Sequence, residues 1–182
     1  EKVVWDNHSR IHSYDLTPFK ETIVMDTDLI VGNDNLLKCF ESQQDFLINN
    51  QSIYVNKKHR NDLKITYMNN FINMYWATVF YFKKTKKTEY LFDLIKHIKE
   101  NYQYYRFVYG IVETKYRNDY AFTIAIHMLN GFKSGPNKNN LPIKLFYVTD
   151  KDKVLDFKEN TWQFALPKND NTYYRCNVKN AN

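Results

Sequence analysis

Cysteine is scarce: Cys39 and Cys176 are the chain's two, and they stand far apart. No C-x-x-C pair or Cys/His cluster has zinc spacing, which argues against finger and ribbon modules. The expectation is a pair of reduced thiols in a cytoplasmic protein. No apolar run approaches the ~20 residues that cross a bilayer, so no membrane span is expected. No signal peptide is expected either. Internal repeats and low-complexity tracts are missing, as are RNP-like and helix-turn-helix motifs, so the common nucleic-acid modules find little support.

What the chain does have is a core. At 182 residues, 43% apolar and 25% charged, it reads as one folded domain rather than a disordered chain. Its 26 basic and 20 acidic residues leave a charge of +6, which favours anionic partners. The densest basic run, Lys83-Lys84-Thr85-Lys86-Lys87, reads as a solvated loop. Most aromatic residues fall in predicted strands and helices and are expected to be core.

The stretch with chemistry is E-T-I-V-M-D-T-D-L-I-V-G, residues 21–32. Ile23, Val24 and Met25 read as a buried strand. Asp26 and Asp28 follow, and Leu29 to Val31 resume the apolar run. Two acids within apolar sequence are costly to desolvate unless a cation or hydrogen bonds meet them. In extended chain, residues two apart share a side, so the pair can face one ligand. Ligands of open α/β sheets sit beyond the carboxyl ends of strands, where this pair falls. Carboxylate oxygens suit Mg²⁺ or Mn²⁺. The plainer reading is a strand followed by a solvated, capped turn.

Elsewhere the pattern predicts a short strand and a helical turn over 3–16, and a helix from Asn33 or Asp34 to Phe40. It predicts strands at 45–48 and 73–82, and a long loop over 49–66 with room for a hairpin. A helix over 89–104 is expected with Thr88 as its cap, and a second from Asn118 or Asp119 to Leu129, ended by Gly131. A connector at 133–142 leads to strands at 143–148, 153–157 and 162–166, and residues 168–182 read as a mobile tail. Alternating strands and helices argue for an α/β fold with a mixed, mostly parallel sheet.

T-P-F-K-E-T-I-V-M-D-T-D-L-I-V resembles the central segment of GT-A-fold glycosyltransferases, the nucleotide-diphospho-sugar transferases. It is similar to glycogenin-like members and to small phage or bacterial relatives. The resemblance implies that Asp26 and Asp28 bind Mn²⁺ or Mg²⁺, which holds the diphosphate of a nucleotide-sugar donor. M-Y-W-A-T-V-F-Y-F is similar to the strand behind the donor sugar, with Trp76-Ala77-Thr78 where relatives have N-A-G. That makes Trp76 and Thr78 donor-contact candidates. R-N-D-Y-A-F resembles the acidic motif beside the acceptor, implying Asp119 as general base or acceptor ligand; its plainer role is a helix cap. H-S-R-I-H implies Arg10 near the diphosphate, with a lysine of 133–138 as another phosphate contact. His127 is the candidate third metal ligand, against packing on a helix face. Only 25 residues precede Asp26, so a GT-A domain here is expected to be incomplete at its N-terminus. The acceptor is left open among glycan, protein, nucleic acid and small molecule.

Two other readings compete. One is a non-catalytic or degenerate binding module for nucleic acid or sugar nucleotides. The other is a haloacid-dehalogenase-like phosphatase with Asp26 as nucleophile. Ile30 stands where that family has Thr or Val, and no later acidic pair follows a glycine.

Overall fold

The computed structural model describes residues 9–56, 60–61, 64–133, 140–158, 161–169 and 172–179. A 3-10 turn, Ser9–His12, runs into the one-turn helix α1, Ser13–Leu16. Strand β1, Glu21–Met25, follows, then a 3-10 helix, Asp34–Glu41, capped by the Asn33 side chain. Next come β2 (Phe46–Ile48), β3 (Ser52–Tyr54), β4 (Arg60–Asn61), β5 (Lys64–Tyr67), β6 (Asn70–Asn73) and β7 (Val79–Lys83). Three helices form the middle: α2 (Lys86–Glu100), α3 (Tyr102–Val108) and α4 (Asn118–Leu129). The chain closes with β8 (Phe146–Tyr147), β9 (Lys153–Lys158), β10 (Thr161–Asn169) and β11 (Thr172–Lys179).

The fold is mixed α/β with several small sheets. The central one has the order β1-β7-β2. Strand β7 is buried on both faces, which is why V-F-Y-F reads as a continuous apolar run. Phe80 and Phe82 face α2 and α4, where Phe92 and Phe122 pack on them. Val79 and Tyr81 face the other way, onto Leu36, Leu47, Leu141 and Leu145.

Four expectations are corrected. The sheets are not mostly parallel: among the described residues β3 and β8 pair in parallel, and the other ladders are antiparallel. Both β1 and β2 run against β7, so a crossover brings them to its two sides rather than extending a parallel ladder. Strand β1 is an edge strand and only partly buried, with Met25 41% exposed. Its apolar run is the same that a central strand would show, and periodicity does not tell the two apart. The region after Pro167 is not simply a tail, because β11 pairs with β10 from Thr172 to Lys179. Finally, 73–82 is not one strand: residues 74–78 join β6, which pairs with β5, to β7 of the central sheet.

The helices match their expected places with shifted ends. Thr85 caps α2, and Thr88 completes a reciprocal capping box, so the helix begins earlier than the apolar stripe suggests. The stripe runs past Glu100 because α3 continues it after a break at Asn101. Helix α4 ends in a Schellman turn: Gly131 sits at φ +67°, its N–H bonds to Met128 O, and the Phe132 N–H bonds to His127 O. The opening residues of the 3–16 segment and positions 134–139 of the connector, with Lys138, lie outside the described residues; Lys133 is described and exposed. Among the described residues no helix is long and apolar enough to cross a membrane.

Candidate functional site

The site gathers at the carboxyl end of β1. The Asp26 N–H donates to Thr78 O at 2.9 Å, extending the β1–β7 register by one bond. The chain then turns, closed by the Leu29 N–H on Asp26 O at 3.2 Å. Asp26 and Asp28 are therefore related by a turn, not by the alternation of an extended strand. Asp28 is exposed, whereas the Asp26 side chain is 26% accessible.

Arg10 joins them. The 3-10 turn at Ser9–His12 delivers its guanidinium, 8% exposed, into an ion pair with Asp26 Oδ1. The same guanidinium donates to Ala77 O. Burial lowers the Arg10 pKa, and the negative charges of Asp119 and Asp28, with Tyr116, pull it back up. Arg10 thus sits in the field of all three acids.

Asp119 arrives from the first turn of α4. It does not cap its own helix, because the N-cap position, Arg117, makes no side-chain cap bond. Asp119 Oδ1 instead accepts the Ala77 N–H at 2.9 Å, and Oδ2 pairs with Arg117 at 2.7 Å. Tyr116 donates its hydroxyl to Asn118 Oδ1 at 3.1 Å. Its pKa is raised by burial first, then by Asp119 and Tyr102, so the phenol stays protonated. These contacts help fix the segment between β6 and β7. The backbone of Ala77 is committed to Asp119 on one side and Arg10 on the other.

Three acids and two arginines leave this cluster one formal negative charge, a setting that attracts a cation. Its carboxylate oxygens are hard ligands suited to Mg²⁺ or Mn²⁺. Arg10 already holds one oxygen of Asp26, so a cation has to share that carboxylate with the guanidinium.

The remaining candidates fall differently. Thr78 contributes its carbonyl to Asp26. The Trp76 ring packs on the cluster around Leu47 and Tyr81, and its buried indole N–H has no hydrogen-bond partner among the described residues. His127 does not join the acids. It is 3% exposed, bonded through Nδ1 to the Tyr109 hydroxyl at 3.0 Å, and ringed by Tyr67, Tyr109 and Phe132. Among the described residues no three His, Cys, Asp or Glu side chains come together as a metal group. The expected triad of Asp26, Asp28 and His127 is therefore not assembled, and the Tyr109 bond and surrounding rings make the packed role of His127 the better account.

Sequence reasoning missed the Ala77 peptide and Tyr116. A backbone group leaves no side-chain signal. Tyr116 lies immediately before the acidic motif, and proximity to Asp119 was its only clue. Comparisons with protein-family models, with curated proteins and with solved structures found no match.

Proposed function

We propose that the chain is a metal-dependent glycosyltransferase of the GT-A type, moving a sugar from a nucleotide-diphosphate donor to an acceptor hydroxyl. The observation that carries the reading is Asp26 at the end of a strand, paired with the nearly buried Arg10 guanidinium, whose second bond, to Ala77 O, ties it to the same residue whose N–H donates to Asp119. Asp26 and Asp28 are the residues to hold Mn²⁺ or Mg²⁺, which when bound offsets negative charge on the leaving diphosphate. Arg10 adds a second, fixed positive charge beside that group, and its bond to Ala77 O sets its direction. Asp119, 13% exposed, has its orientation fixed by the Ala77 N–H and Arg117. In an inverting reaction it takes the acceptor proton; in a retaining one it orients the acceptor.

The test is a titration of Mn²⁺ with a panel of nucleotide sugars, repeated with Asp26→Asn combined with Asp28→Asn. Metal-dependent donor binding in the wild type, lost in the double variant, is the expected result. Identical binding by both proteins overturns the metal role. Asp119→Asn should lower turnover by about 10²-fold or more while leaving donor affinity within a fewfold. Unchanged turnover would reduce Asp119 to a structural tie.

A further inference from the structure

A cavity of about 340 Å³ opens just past the acidic turn. One wall is the chain leaving Asp28, with Leu29, Ile30 and Val31; the other includes Leu141 and Leu145, and Trp162 of β10 also lines it. Two details make this a built feature. A Cβ at Gly32 would overlap the Trp162 indole, so the absence of a side chain lets the loop lie against the ring. Phe157 meets Trp162 edge-on at 5.5 Å and bears on the indole from β9.

The volume falls within the ~300–1,000 Å³ range of small-molecule pockets, and the lining is mainly apolar with few polar groups. The Asn33 side-chain Oδ1 accepts the Asn35 N–H at 3.0 Å, so the loop already uses it. Lys144 is exposed and is the one charged residue of the lining; no acid lines the cavity among the described residues. Ile30 is 49% exposed and Val31 equally so, leaving apolar surface that an occupant would cover. A fully polar ligand would lose water here with few hydrogen bonds in return. A positively charged one would meet only Lys144.

We propose that this cavity binds a small amphiphilic anion, its apolar body lying against Ile30, Leu145 and Trp162 and its single anionic head group beside Lys144. The lining includes none of Arg10, Asp26, Asp28 and Asp119, and the proposed occupant needs neither metal nor nucleotide sugar. It therefore stands or falls independently of the transferase reading.

The experiment uses sodium decanoate below its micelle concentration, with decanol as the uncharged probe. The readout is the indole N–H resonance of Trp162, assigned with Trp162→Phe. Decanoate should shift that resonance saturably and bind at least about tenfold more tightly than decanol. Ile30→Asp, at an exposed position, should weaken decanoate by about tenfold or more, and Lys144→Glu should erase the preference over decanol. Thermal melts of both variants check that they fold. An unmoved Trp162 resonance, equal affinity in Ile30→Asp, or equal binding of decanoate and decanol by the wild type would each overturn the proposal.

Discussion

At the amino end of α4, Asp119 is nearly buried yet meets Arg117 directly and lies in the field of Arg10. At the carboxyl end of the same helix, His127 is deeper still and meets aromatic rings and a tyrosine hydroxyl. The helix dipole alone would favour a negative group at the first position and a positive one at the second. Only the first is realised. Desolvation outweighs the dipole at His127, whose neighbours are aromatic rings and a tyrosine hydroxyl rather than a carboxylate, among the described residues. The contrast locates ionic chemistry at the end of α4 that touches β1 and leaves the other end to packing.

The strongest way to break this contrast is to remove the guanidinium. Arg10→Ala leaves Asp26 without its partner and should cost about 3 kcal/mol in urea denaturation. Millimolar Mn²⁺ should restore part of that loss, and more than it stabilises the wild type, because a bound cation can replace the missing charge. A variant as stable as the wild type would show that water, not Arg10, compensates the acids.

Asp119→Asn is expected to cost less, about 1–2 kcal/mol, since the amide oxygen can still accept the Ala77 N–H while the pairing with partly exposed Arg117 is weakened. Chemical denaturation measures it.

The smallest effect should lie at the other end. His127 has a folded pKa below its ordinary 6.5, so between the two values the unfolded chain binds more protons. Stability contributed by neutral His127 is therefore present above pH 6.5 and is lost as pH falls toward the folded value. His127→Phe should remove that part of the slope in melts taken from pH 7.5 downward, at a cost under about 1.5 kcal/mol. A slope that survives the substitution would assign the titration to another group.

Much of the scaffold is written in local pattern. Strand β1, α4 and its Gly131 stop follow from apolar periodicity and cap chemistry, which act within a few residues. The misreadings concern what lies beside an element. Val24 and Met25 look alike in an edge strand and a central one. Tyr173 and Tyr174 fall in a polar stretch whose pairing with β10 is a long-range ladder with little local signature. At the site, Asp26 and Asp28 were legible because charge within apolar sequence is conspicuous, whereas Asp119 and Arg10 were candidates only through the resemblance to GT-A transferases. Their mutual arrangement was not legible, since it depends on a peptide bond in residues 74–78.

That peptide has a consequence for inheritance of change along the chain. The Ala77 N–H and C=O belong to successive peptide units; the first donates to Asp119 and the second accepts from Arg10. Because one residue carries both contacts, a shift of the Ala77 backbone bears on Asp119 and Arg10 together. Substitutions at these two positions should then fail to add in a double-mutant cycle, and a neighbour that stiffens residues 74–78 would alter both at once.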